Sequence, residues 1–562
     1  MHGRAGAAFV VVLAAGLAAA LVAVAGGTAG PAVSFTNVPN ANTKSSGFSQ
    51  PNLLSPELQE IVWAQGANPV ENPSDGVVAY GYDAGAPFVP VAGGAPGAIT
   101  LPGNAQPPGQ IEARKTEPDK NTYLVLKGLK GADANYDYGT HFLFQGHEGG
   151  SPGYITRINL DADGPHRVTL LATKDTDAHA LPTFDGSTWD PWAQHLLFTS
   201  EAGPSAGVSQ GGVWQATLDV PSTVENLQRV LGRGGFEGIQ NDDAGNLYYV
   251  EDVGGSNIGA TKARRPNSFV YRFLPKNPND LTQGGDIQAL QVLIDDQPIT
   301  FDDGGTDVNP AKYLTLHTYG TSLKTKWIPL TTTTSATAAP GPDDAALAKQ
   351  LGATPFKRPE NGLFRPGSHF KQFFFDETGD TNLTTPAAAT GGFGSIFRLT
   401  QDPKSDDGSI SLFFLGDAVH SSFDNTAWFS DNQVAFVEDG GDGLHTQNNA
   451  LDSGWLFDAT ANYSGSAKPV RFLAQGRDAS ATLDSSLSAV YAAQNPAQTF
   501  YNDGDNEITG IHVSDGDPTK NGILGAKDPK PFRGEGQWRA FYTQQHGDNN
   551  TYELIPSSTR GD

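Results

Sequence analysis

The sequence predicts an all-β fold, a six-bladed β-propeller with inserted loops and short helices. Three observations carry this. The composition is rich in turn formers, with 67 Gly and 38 Pro among 562 residues and only 17 % charged residues. Short apolar runs between Gly/Asp/Asn turns dominate, as in sandwiches, barrels and propellers. Six strand pairs also share one design, and the early ones recur at about 50 residues, the size of a four-stranded blade. Two separate β domains are the alternative.

In each pair an apolar first strand ends in polar or acidic residues, a Gly-containing turn follows, and an alternating second strand comes next. The pairs are FLFQGHEGG with YITRINLD, LLFTSEAG with VWQATLD, and LYYVEDVGG with FVYRFLP. Further on come FFFDETGD with IFRLTQD, VAFVEDGGDG with GWLFDA, and FYTQQHGD with TYELI. The strand-end positions are Glu148, Glu201, Glu251, Glu377, Glu438 and Gln545. A second acid recurs upstream, in GGFEGIQND (Glu237), RPENGLF (Glu360), SSFDNTAWF (Asp424) and DNEITGIHV (Glu507).

The chain divides into three parts. Residues 1–25 read as an export signal: Arg4, then an apolar run, then Ala23-Val24-Ala25 with a small-x-small cleavage pattern. An uncleaved anchor is the other reading of this run. Residues 26–120 form a Gly/Pro-rich segment expected to pack on or wrap the propeller, and 121–562 the propeller itself. Within the N-terminal segment, LSPELQEIVWAQG (54–66) reads as a helix with Ser55 at its N-cap and Pro56 at N1. A wide gap later on carries TTTTSATAAPGP and a short helix at DDAALAKQLG. No second segment has the length and apolarity of a membrane span, so the mature protein is expected to be secreted or periplasmic, and monomeric.

Charge limits the partners. A formal net charge of -25 repels nucleic acid and anionic membranes and attracts cations. The absence of cysteine excludes disulfides, thiolate metal ligands and a Cys nucleophile. No G-x-S-x-G stands in a strand-to-helix elbow, H-E-x-x-H is absent, and NLDADG and VSDGDP lack full EF-hand spacing.

The inner strands of a propeller converge on its channel, so a carboxylate repeated in each blade forms a ring there. Carboxylates crowded together do not all stay ionised without compensation. An all-oxygen ring suits Ca²⁺. The competing reading of each acid singly is ordinary turn chemistry.

In order along the chain, these motifs resemble those of the PhoX-type alkaline phosphatases, secreted β-propellers with a calcium and iron active site. GHEGG resembles the family's H-E motif at His147 and Glu148, and FTSEAG its L-T-C-E-E at Thr199, Ser200 and Glu201. FEGIQNDDAGNLYYVED matches at Glu237, Glu251 and Asp252, and KRPENGLF resembles R-P-E at Arg358, Pro359 and Glu360. SFDNTAW resembles P-D-N at Asp424 and Asn425. EITGIHVSDGD and FYTQQHGDN resemble E-T-G and Q-H-P-G at Glu507, Thr509, Gln545, His546 and Gly547.

The resemblance covers about residues 120 to 556 and implies a phosphatase acting on a small phosphomonoester. It makes Glu148, Glu201, Glu237, Glu360, Glu507 and Asp424 metal ligands. Arg358 and Glu360 become the catalytic pair, and Arg358, His147, Gln545 and His546 the substrate contacts. Calcium is implied. Iron is implied less directly, because the family's cysteine is Ser200 here, and a neutral hydroxyl is a poor iron ligand beside a thiolate. Two other readings stand beside it: a non-catalytic calcium-binding propeller acting as a surface module, and another calcium-dependent propeller hydrolase. Arg358 has its own alternative as a structural ion pair with a neighbouring blade.

Overall fold

A computed structural model describes residues 33–39, 52–82, 87–90, 110–113, 115–149, 152–202, 211–259, 263–301, 307–380, 387–440, 452–475, 507–526, 538–545 and 549–557. The expected export signal and His546 lie outside these residues.

The described chain is nearly all strand, arranged like the blades of a propeller. Thr122–Val125, His141–Gly146, Ile155–Asn159 and Val168–Ala172 form one antiparallel run. Ser187–Asp190, His195–Ser200, Gly212–Ala216 and Val224–Asn226 form the next. Phe236–Asn241, Leu247–Glu251, Val270–Pro275 and Gly285–Ile294 follow, then Gly362–Phe364, Gln372–Glu377, Ser395–Gln401 and Asp407–Leu415. These two runs are joined edge to edge by Leu323–Thr332, which pairs with both Gly285–Ile294 and Asp407–Leu415. Phe423–Trp428, Gln433–Glu438, Ser453–Asp458 and Val470–Gln475 come next, and Glu507–Ser514, Arg539–Gln545 and Thr551–Pro556 last. The six strand pairs read from the sequence are all antiparallel neighbours.

The first strands of successive runs lie side by side, and Glu507–Ser514 lies in turn against Thr122–Val125, closing the circle. Chain ends close it too. Leu58–Ala64 pairs with Thr551–Pro556, and Asn52–Leu54 with Val470–Gln475. Residues 54–66 therefore do not form the expected helix. Ile61, Val62 and Trp63 are β-branched or aromatic and favour the outer strand, where pairing with the end of the chain overrides local periodicity. Ser55 caps nothing helical; its hydroxyl donates to the Thr36 carbonyl at 2.8 Å. The short helix expected at DDAALAKQLG spans Asp344–Leu351, with Asp343 accepting from Ala346 N at 2.9 Å and Gly352 left-handed at φ 81°.

The runs are held apart by apolar layers that the strand period of two explains. Phe373 and Phe375 point into one core with Tyr248, Phe356 and Phe397, while Phe374 between them points into the next with Trp428 and Phe413. A strand buried on both faces reads as an unbroken apolar run, which is how QFFFDE looks in the sequence. Each of these rings is buried, and each contributes on the order of 2–3 kcal/mol of burial.

Candidate metal centre

In five of the six described runs the acid at the start of the first strand lies near the closed circle. Asp119 and Asp185 stand just before Thr122–Val125 and Ser187–Asp190; Glu237 is second in Phe236–Asn241; Glu360 stands before Gly362–Phe364; Asp424 is second in Phe423–Trp428. All five line one cavity of about 60 Å³, together with Glu148, Glu201, Asp439 and Arg358. Eight carboxylates and one guanidinium therefore share it.

Small residues beside the acids let the strands come this close. Gly238 N donates to Glu360 O at 2.8 Å, and a Cβ on Gly238 would lie 2.8 Å from Asn361 Cα. A Cβ on Gly186, which follows Asp185, would lie 2.2 Å from Glu237 O. The carboxylates consequently form three overlapping triads, each with oxygens within 4.8 Å: Asp119–Glu148–Asp185, Asp185–Glu201–Glu237, and Glu237–Glu360–Asp424. Asp185 and Glu237 each belong to two triads.

The strand-end acids split in two because adjacent residues of a strand face opposite sides. Glu251 and Glu438 turn into their own runs. Glu251 accepts from Tyr271 OH at 2.9 Å and Phe269 N at 3.2 Å. Glu438 accepts from Ser421 N, Ser453 N and Trp455 Nε1 at 3.0, 2.9 and 2.7 Å. Their neighbours Asp252 and Asp439 face the other way; Asp439 lines the cavity and Asp252 reaches Arg358. His147 and Glu148 divide likewise. His147 is buried, with Thr116 Oγ1 at 3.1 Å from Nδ1 and Thr156 Oγ1 at 2.9 Å from Nε2, while Glu148 lines the cavity.

The structure thus brings together Glu148, Glu201, Glu237, Arg358, Glu360 and Asp424. Gln545 touches the group through its amide, 3.1 Å from Glu148 Oε2. Glu507 pairs in register with Gln545 and is not among the cavity-lining residues. Ser200 is buried on the strand leading to Glu201, also outside that lining, and its hydroxyl has no hydrogen-bond partner. Asp119, Asp185 and Asp439 are additional to the acids read from the sequence. A signal for the first two was present, since PDKNTYLV and FDGSTW place an acid just ahead of a strand as in the other runs.

Burial, then like charge, pushes Glu148, Asp185, Glu237 and Asp424 well above the ordinary carboxylate range. Glu201 and Glu360 are also raised, by burial first and nearby Asp252, with Arg358 opposing. Burial pushes Asp119 up to about 6. Both oxygens of Glu237 and one each of Asp119, Asp185 and Asp424 are buried without a hydrogen-bond partner. Orphaned carboxylate oxygens converging on an enclosed space fit hard cations, and among the described residues no sulfur or imidazole lines the cavity.

Arg358 bridges the acids. Its Nε donates to Asp252 Oδ1 at 2.8 Å and its Nη2 to Asp252 Oδ2 at 2.6 Å, while Glu360 Oε1 lies 3.1 Å from Nη2. The bonds to Asp252 use Nε and Nη2, so Nη1 lies outside that pair. A larger cavity of about 90 Å³ is lined by the first strands and by residues from Val513 to Leu524. It is mainly apolar and holds none of the acid cluster. Buried Lys120 lines it, donating to Thr426 O and Ile511 O at 3.2 and 2.9 Å. Desolvation lowers the Lys120 ammonium to about 8 against the pull of Asp424, Asp119 and Glu237.

Fold and cavity together define a propeller-like protein with a buried, carboxylate-rich centre furnished for cations. The chain belongs to the family described as Alkaline phosphatase PhoX, which matches residues 220–516. Its fold is similar to that of Pseudomonas fluorescens PhoX in complex with vanadate, a transition state analogue, at a TM-score of 0.54 and 12 % identity, covering 93 % of this chain and 98 % of that one. A hypothetical selenium-binding protein from Sulfolobus tokodaii aligns at 10 % identity and a TM-score of 0.28 over 60 % of this chain and 66 % of its own, too distant to carry an argument. No curated protein matches the chain. Members of the family are metal-dependent and are secreted or periplasmic. Among the described residues no helix is long and apolar enough to cross a membrane.

Proposed function

We propose that this protein is a secreted, calcium-dependent phosphomonoesterase built on six blades, with its reaction centre in the carboxylate cavity. The observation that carries the reading is Arg358 among eight carboxylates. A site that only holds structural cations has no use for a guanidinium, whereas a phosphate needs a positive, directional partner. Arg358 binds and orients the phosphoryl oxygens, and Asp252 and Glu360 fix the plane of its guanidinium. Glu148, Glu201, Glu237, Glu360 and Asp424, with Asp119, Asp185 and Asp439, hold the cations. Bound metal supplies Lewis-acid polarisation of the phosphoryl group and an activated oxygen nucleophile. Gln545 steadies Glu148 from the last run. The enclosed walls limit water and strengthen each charged contact.

Ser200 and the ion pairs of Arg358 favour a second reading, a calcium-stabilised propeller without catalysis. Hydrolysis of a generic phosphomonoester at alkaline pH, in calcium with and without iron, separates the two. Turnover that disappears in Arg358→Ala supports the phosphatase. Calcium binding without turnover in any metal supports the second reading.

A further inference from the structure

We infer that Glu377, clamped by His317 from an inserted helix, is a positioning residue that holds Arg358 in its phosphate-binding pose. The inference rests on the reading of Arg358 as a phosphate clamp.

Arg358 lies in an unusual backbone state. Its φ is 56°, in the left-handed region that a β-carbon disfavours. Such a turn persists only where its neighbours over-determine it. Here Thr378 N donates to Arg358 O at 2.9 Å and Gly379 N to Lys357 O at 3.1 Å. On the amide side of the turn, Lys357 N donates to Glu377 Oε1 at 2.8 Å. Glu377 is thus the side chain that holds the residue next to Arg358.

Glu377 is fully buried and accepts three more bonds: from Tyr313 OH at 3.2 Å, from His317 Nε2 at 3.0 Å, and from Ser395 Oγ. His317 is itself fixed, its Nδ1 2.9 Å from Tyr313 O. The carbonyl only accepts, so Nδ1–H donates to it and Nε2 faces the Glu377 carboxyl, with both side chains 0 % exposed. Tyr313 and His317 come from the helix Pro310–Leu316 and its C-cap. That helix stands in the long insertion between the runs that supply Asp252 and Glu360. The insertion is therefore tied to the Arg358 turn, though neither His317 nor Glu377 lines the cavity. Removing one partner of such a buried, hydrogen-bonded pair strands the other.

The test is a double-mutant cycle read by calorimetric affinity for inorganic phosphate on the full chain in calcium. His317→Leu and Glu377→Gln are expected to weaken phosphate by roughly tenfold, and His317→Gln, whose amide still donates to Glu377, to restore most of it. In an Arg358→Ala background, His317→Leu is expected to change the affinity by less than about twofold. Tyr313→Phe, which removes one donor to Glu377, runs the same cycle if His317→Leu does not fold. Losses that are the same with and without Arg358, or no loss while Arg358→Ala weakens phosphate, overturn the positioning role and leave the clamp standing. Affinity unmoved by Arg358→Ala overturns the clamp itself, and the positioning role with it.

Discussion

Arg358 and Asp252 meet through three hydrogen bonds of 2.8, 3.0 and 2.6 Å, joining a residue before one run to a residue after a strand of the run preceding it. Asp252 is the outward half of the Glu251-Asp252 doublet, whose inward half braces Tyr271 and Phe269. Replacing Asp252 by Asn keeps the shape and removes the charge that fixes the guanidinium. Phosphomonoester kcat/KM is expected to fall by about 10–100-fold in Asp252→Asn, and further in Arg358→Ala, because a positioned charged contact is worth about 1.5–3 kcal/mol. Unchanged kcat/KM in both variants would place the phosphate elsewhere.

Three carboxylate triads in one small cavity offer oxygen ligands to cations. Excess chelator is expected to lower the melting temperature by several degrees, with calcium restoring it, since a ligand at 100 times its Kd adds about 2.7 kcal/mol. Glu237→Gln, which changes the acid common to two triads, should weaken calcium more than Asp439→Asn. An unmoved melting temperature in chelator would refute the metal centre.

The same acids set a pH dependence. Folding raises Asp119 to about 6 and lifts Glu148, Asp185, Glu237 and Asp424 well above their ordinary range, so the folded state binds protons more tightly than the unfolded chain. Their contribution is full below the unfolded carboxylate value of about 4 and is lost as pH rises through the folded values. Burial lowers His147 and His512 to about 3, so their contribution has the opposite sign: full above about 6.5 and lost as pH falls towards 3. Melting curves in chelator and in calcium should therefore diverge as pH rises through about 6, the folded value of Asp119, and above it. Parallel curves would mean that the acids are compensated without metal.

Gly238 tests how the strands are brought together. A methyl group there meets Asn361 Cα at 2.8 Å and Glu360 O at 2.9 Å. Gly238→Ala is expected to cost about 1–3 kcal/mol of stability, as overpacking does, and to weaken calcium by parting Glu237 from Glu360. A variant with wild-type calcium affinity would show that their spacing does not matter.

Ser200 gives a contrasting result. Its hydroxyl is buried and has no hydrogen-bond partner, so Ser200→Ala should be neutral or stabilising by up to about 1 kcal/mol. Metal content measured by atomic emission should not change. A loss of bound metal would make Ser200 a ligand.

Much of this fold was legible because each strand pair couples an apolar run to a Gly-containing turn. The outer strand at Leu58–Ala64 was not, since its partner lies at the other end of the chain. Strand-end acids were visible but not their direction. In Glu251-Asp252 and Glu438-Asp439 one residue braces its own run while its neighbour faces the centre, and composition is silent on which is which. Asp119 and Asp185 escaped notice because the strands they precede are only four residues long. Arg358 was found by motif, whereas its bond to Asp252 is a product of the closed circle.

The most direct test is a crystal structure of the full chain grown in calcium and soaked with inorganic phosphate or vanadate, with anomalous scattering to identify metals. Cations are expected between Asp119, Glu148, Asp185, Glu201, Glu237, Glu360 and Asp424, and an oxyanion on the guanidinium of Arg358. A cavity that holds neither, or cations with the oxyanion bound away from Arg358, would contradict this arrangement.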